Sequence, residues 1–190
     1  MGTERCEGEV LREAQATDEP TRARSVNELV ATAARRWGEK VALRAIGGGT
    51  GITYAEIAKQ HRGLMQSMRR HGIRRGDRVA TLLAGGPEAV TAMLAISGVA
   101  TYVPVGLQTN PLEIEALLKR LKVRAVVVSD ETPTTARLAA SGFPLIELRK
   151  DRAGVVGWIA LSFAKGMEAR DGGESDSGPA DPFGLLQKIG

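Results

Sequence analysis

The chain has 190 residues, 43% hydrophobic but only 4% aromatic, and its 26 Lys and Arg outnumber 22 Asp and Glu for a net charge of +4. That length suits one domain, or one part of a larger protein, built on an aliphatic core, and the modest basicity is weak evidence for a nucleic-acid partner because both signs are interleaved through most of the chain. The single Cys6 excludes an internal disulfide framework, two histidines offer no clustered soft ligands for zinc, and no run reaches the roughly 18 apolar residues of a membrane span.

Residues 1–24 are polar, carry both charges and contain no apolar core of a signal peptide. They are expected to form a poorly ordered arm, and the chain to be cytoplasmic. Order is expected from Ser25. Ser25 with Glu28 makes a capping-box pattern, and Val26, Leu29, Val30, Ala33, Ala34 and Trp37 repeat at helical spacing. Val41–Ile46 reads as a strand, residues 47–51 as a turn and Ile52–Tyr54 as a returning strand, together a hairpin. Thr53 caps the next helix with Glu56 at the matching box position, and Tyr54, Ile57, Ala58, Leu64, Met65 and Met68 supply its apolar face up to a stop near Gly72.

Residues 78–105, RVATLLAGGPEAVTAMLAISGVATYVPV, organise the rest. A buried strand (Val79–Ala84), a Gly-Pro turn, an apolar helix opened by Pro87 and Glu88, and a second strand (Tyr102–Val105) imply a crossover and so a parallel pair, since antiparallel neighbours need only a hairpin. Pro111 opens a further helix with Leu112, Ile114, Leu117, Leu118 and Leu121 as its stripe, and AVVVS (125–129) has the continuous apolar run of a strand covered on both faces. A helix over 132–141 and a strand over 144–148 continue the alternation. The expected fold is α/β, a doubly wound, mainly parallel sheet flanked by helices, with a domain over 25–150. Residues 151–190 are expected to hold an apolar helix (Val155–Glu168), an acidic Gly/Ser linker (DGGESDSGPAD, 171–181) and a strand that is cut off (FGLLQKIG).

Motifs that suggest chemistry have bland readings that fit better. GGGTG (47–51) lacks the Lys and Ser/Thr of a phosphate loop and leads into a strand, so it is a hairpin turn. Gly85-Gly86-Pro87 stands at the carboxyl end of a strand, where open α/β sheets bind ligands, but lacks the third glycine and later acidic residue of a dinucleotide fingerprint; it reads as a structural turn. Arg69, Arg70, Arg74, Arg75 and Arg78 with His71 complement the negative end of a helix dipole, with no reading element or stacking aromatics beside them. Neither His61 nor His71 has a nucleophile and acid assignable by spacing, and Cys6 in the arm is no nucleophile candidate. No catalytic constellation and no metal site is read from the residues.

The order of segments is more telling. SVNELVATAARRWGEKVAL, ITYAEIAKQHRGLMQSMRRHGIRRGDRVATLL, PEAVTAMLAISGVATYVPV and LEIEALLKRLKVRAVVVSD, from about Ser25 to Asp130, resemble the amino-terminal part of the AMP-forming (adenylate-forming) ligases. This family includes acyl-CoA synthetases of fatty acid metabolism, aryl-CoA ligases, luciferases and the adenylation domains of peptide synthetases. ITYAEI resembles the family's first core motif and AISGVATYVPV its second.

The resemblance implies the amino-terminal subdomain of the ligase fold and a two-step reaction. A small carboxylic acid reacts with ATP and Mg²⁺ to an acyl-adenylate, which passes to a thiol such as coenzyme A. The family's Gly-rich loop ending in Pro-Lys-Gly and its carboxyl-terminal lid lysine are not found in these 190 residues, and Lys188 and Ile189 stand where a hydroxyl pair is usual. The chain alone is therefore expected to be inactive, to contribute no catalytic residue and to bind no cofactor itself, its partner being the remainder of the ligase. An alternative is a truncated non-catalytic homologue that serves as a binding or assembly module, paired with a second copy. Tyr102, Val103 and Pro104 are expected to wall the substrate pocket. Gln108 stands where the family often has an Arg near the coenzyme phosphates, and its uncharged amide makes a weaker phosphate contact.

Overall fold

The computed structural model describes residues 23–46, 48–129, 132–151, 155–164 and 167. The expected arm (but for its last two residues), the acidic linker and the cut-off strand at 183–190 lie outside the described residues.

Helix α1 is Val26–Trp37 and starts where the Glu28 amide donates to Ser25 Oγ (3.2 Å). Only half of the expected capping box forms, because Glu28 Oε2 accepts from the Arg24 amide (2.8 Å). Strands β1 (Val41–Leu43) and β2 (Ile52–Thr53) pair antiparallel as the expected hairpin. β1 is three residues shorter than its apolar run predicts, since the turn begins at Ala45, whose carbonyl accepts from the Gly48 amide (3.3 Å), and Ile46 is fully exposed. Helix α2 (Tyr54–Arg70) carries a complete capping box between Thr53 and Glu56, which satisfies two otherwise orphaned amides.

The remaining elements are β3 (Arg78–Leu82), α3 (Pro87–Ser97), β4 (Thr101–Pro104), α4 (Pro111–Arg120), β5 (Ala125–Val128), α5 (Pro133–Ala140), β6 (Leu145–Lys150) and β7 (Ile159–Phe163). Their sheet has the order β4-β3-β5-β6-β7, with the first four strands parallel and β7 antiparallel to β6. The period of two along each strand divides the core. Val79, Val127 and Ile146 face α2 and α3, where Met68, Ala95 and Ile96 are buried. Ala80, Val126 and Val128 face α4 and α5, where Ile114, Leu118 and Leu138 meet them. A third cluster, Val30, Ile52, Ile57 and Ala58, fastens α1 and the hairpin to α2.

One expectation is corrected. Within Val155–Glu168, expected as an apolar helix, Ile159–Phe163 is a strand, so the sheet extends past the boundary expected at residue 150. Ile159, Leu161 and Phe163 alternate inward toward the α2/α3 side while Ser162 is exposed, the period of a strand. Gly157, at φ 76°, also breaks a helix there. The loop ahead of β7 is held down: the Thr91 hydroxyl donates to the Gly157 carbonyl (2.9 Å), the Gly157 amide donates to Glu88 Oε1 (3.2 Å), and the Ile159 amide donates to the buried side chain of Gln60.

Candidate ligand-facing edge

In an open parallel sheet every strand's carboxyl end lies on one edge, and a crevice opens where successive crossovers leave for opposite faces. Here β3 sends the chain through α3 to β4 on one side, whereas β5 sends it through α5 to β6 on the other. The divergence lies between the carboxyl ends of β3 and β5. Leu83–Gly86, Ser129 and, from the neighbouring β4, Val105–Gln108 therefore stand at that edge. Asp130 and Glu131, which follow Ser129, lie outside the described residues.

The turn at Gly85-Gly86-Pro87 is structural, as its sequence suggests. Gly86 has φ 150° and ψ 178° and precedes α3 with no side-chain cap. Glu88 in the first turn takes the Gly157 amide and lies 3.8 Å from Lys150 Nζ. A carboxylate thus already occupies the positive end of α3, which disfavours a phosphate in the same place.

The sequence-predicted residues do not form one surface. Tyr102 is half-buried on the α2/α3 side, and its hydroxyl oxygen accepts from Thr81 Oγ1 (3.3 Å). Val103 packs on the opposite, α4/α5 side, as successive strand residues must. Pro104 is exposed at the edge, and the chain is pinned just beyond it where the Val105 amide donates to the Thr81 carbonyl (3.0 Å). Gln108 is exposed in a turn closed by the Thr109 amide and the Gly106 carbonyl (3.2 Å). Of these, Pro104 and Gln108 are the residues open to solvent.

A second concavity, of about 300 Å³, lies between α1 and α2 and is lined by Asn27, Val30, Ala58, His61, Met65 and Arg69 among others. No strand residue lines it. His61, 3% exposed, faces Asn27 Oδ1 through Nε2 (2.8 Å), and Asn27 Nδ2 donates to the Gly98 carbonyl (3.1 Å). With Asn27 oriented by that carbonyl, its Oδ1 accepts and Nε2 carries the proton. Burial, then the charge of Arg62, lowers the His61 pKa from 6.5 to about 4, so the ring is neutral at ordinary pH. The triad Asn27–His61–Gly98 was not legible in the sequence, where the helix stripe read from Val26, Leu29, Val30, Ala33, Ala34 and Trp37 leaves Asn27 out. It ties α1, α2 and the end of α3 together. Among the described residues no group of three or more His, Cys, Asp or Glu is placed to hold a metal, and no helix is long and apolar enough to cross a membrane.

A family model described as AMP-binding enzyme matches residues 30–182. Among curated proteins the chain is similar to a naringenin synthase of Pestalotiopsis fici, 34% identical over 118 residues that make up 62% of this chain and 4% of that protein. Among solved structures, IdnL1 superposes with a TM-score of 0.63 at 20% identity, over 91% of this chain and 32% of its own. NpsA-ThdA, an artificially fused adenylation-PCP di-domain NRPS from Klebsiella oxytoca, superposes at 0.52 and 27% identity over 56% of this chain and 20% of its own. The chain thus spans a small part of the length of the proteins it resembles.

Proposed function

Because the chain belongs to the AMP-binding enzyme family, we propose that it forms the amino-terminal α/β part of an AMP-forming ligase that joins an acyl or aryl carboxylic acid to a thiol such as coenzyme A. The match over residues 30–182 carries this reading. In the reaction, ATP with Mg²⁺ supplies the adenylyl group that activates the carboxylate, and pyrophosphate leaves. The phosphate-cradling loop and the lid lysine belong to the remainder of the ligase, as the absence of Pro-Lys-Gly from these residues suggests.

In this reading the chain's own residues build a wall and do not perform chemistry. The β4 edge presents Pro104 and the turn through Gln108 to the ligand side. Thr81 holds that edge twice, by its carbonyl to the Val105 amide and by its hydroxyl to Tyr102. Gln108 donates a neutral amide to a phosphate oxygen of the thiol carrier, a contact weaker than one from a guanidinium. Leu107 and Leu112, 50% and 58% exposed beside the open edge of β4, are covered by the rest of the ligase.

The test joins these residues to the remaining part of an AMP-forming ligase and assays ATP–pyrophosphate exchange over a panel of carboxylic acids. The proposal predicts acid-dependent exchange. A fusion that folds, as judged by a cooperative melt, yet supports no exchange with any acid overturns it.

A further inference from the structure

The concavity between α1 and α2 lies in the helix layer, and no residue of the sheet lines it. Its origin is in the sequence of the seam. Packed helices close a seam by setting large side chains against small ones, and here small residues, Ala31 of α1 and Ala58 of α2, line the gap from both sides. The space of about 300 Å³ that they leave lies at the small end of the range of ligand pockets. Val30, Ala58 and Met65, all buried, give it an apolar lining.

The rim is cationic. Arg62 and Arg69 are two helical turns apart on α2, so they share the face that borders the gap. Both are exposed, no Asp or Glu lines the gap, and among the described residues neither arginine forms an ion pair. Both charges are felt inside: burial, then the charge of Arg62 and more weakly that of Arg69, disfavours protonation of His61, which lines the same gap. The polar wall is already committed, since Asn27 Oδ1 takes His61 Nε2 and Asn27 Nδ2 donates to the Gly98 carbonyl. The arginines therefore decide which ligand fits. An uncharged hydrocarbon would leave them unpaired, and a bare inorganic anion would leave the gap unfilled.

We propose that this gap binds a small amphipathic monoanion, with its apolar body between Val30, Ala31, Ala58 and Met65 and its charged group at Arg62 and Arg69. The body restores the dispersion contacts that the gap forfeits, and the anion offsets two like charges that no carboxylate neutralises. The site is separate from the carboxyl edge of the sheet and does not depend on the ligase reading.

Benzoate is the probe. The isotope-labelled 190-residue chain is titrated with benzoate, with benzyl alcohol as a neutral body of similar size, and with acetate as a charge without that body, while amide signals are followed. Benzoate is expected to give saturable shifts over residues 27–31 and 58–69 and to bind about tenfold more tightly than either control, the worth of a charge-assisted contact together with a filled gap. Ala31→Leu, which places a side chain in the gap, is expected to abolish the saturable shifts. Arg62→Gln combined with Arg69→Gln, both on the surface, is expected to weaken benzoate several-fold and leave benzyl alcohol unchanged. Melts matching the parent chain establish that each variant folds, and the arginine pair decides the matter if Ala31→Leu does not. Benzyl alcohol or acetate binding as tightly as benzoate, shifts centred elsewhere, or benzoate binding indifferent to the arginine substitutions overturns the proposal. The readout is binding to the chain alone, so either outcome leaves the ligase reading to its own test.

Discussion

His61 is a residue whose acid–base chemistry the fold alters strongly. Its pKa of about 4 lies below the ordinary 6.5, so the folded state favours the neutral ring. The resulting stability is fully present above pH 6.5 and is lost as pH falls toward 4. At about 1.4 kcal/mol per unit, the loss amounts to about 3 kcal/mol. His61→Gln keeps a donor for Asn27 but cannot titrate, so urea melts at a series of pH values should show its stability nearly flat from 6.5 to 4, while the parent chain declines. Equal slopes would mean that the ring is not the titrating group. Glu115 acts lower on the scale. Its bond to Lys119, then contacts with Ser141 and Arg137, hold it at about 2, so its contribution is present above the usual carboxylate range and fades as pH falls toward 2. The Arg137 contact, 2.7 Å, also links α4 to α5, while the Lys119 contact, 2.6 Å, lies within α4.

Between elements, α3 ends at Gly98 in close approach to α1 and α2. A Cβ there would lie 2.5 Å from Asn27 Oδ1, 2.6 Å from Met65 Sδ and 2.7 Å from His61 Cε1. Gly98→Ala is expected to cost roughly 1–3 kcal/mol through overpacking and displacement of the Asn27 hydrogen bonds. Gly63, inside α2, is exposed, and a methyl group added to it would meet nothing within 4 Å, so Gly63→Ala should stabilise the helix by about 0.5–1 kcal/mol. Denaturant midpoints of the two variants should therefore move in opposite directions. The helices and parallel strands were legible in the sequence because their signals are local: Ser25 and Thr53 cap helices as their positions suggest, and AVVV is buried throughout. β7 was not, because Val155, Val156, Trp158 and Ile159 satisfy an apolar count for a helix. What decides the strand is non-local, namely pairing with β6 and the clamp from Gln60 on α2. The candidate edge was legible in outline, through the Gly-Pro turn after a strand. The opposed directions of Tyr102 and Val103 follow from strand geometry once β4 is placed, but the Thr81 contacts that hold Tyr102 and Val105 depend on the neighbouring strand.

For the molecule as a whole, the two poles of one sheet have different characters. The carboxyl pole opens between β3 and β5, with Glu88 closing the end of α3 against anions, while the amino pole gathers cations from two helix ends and the loops that follow them. The central claim is that these residues are the scaffold of an AMP-forming ligase and carry none of its chemistry. ATP–pyrophosphate exchange by the 190-residue chain alone, over a panel of carboxylic acids with Mg²⁺ present, tests this most directly. The account predicts exchange no higher than in acid-free controls. Robust exchange that depends on both ATP and an acid would contradict it, because the phosphate-cradling donors would then have to lie within this chain.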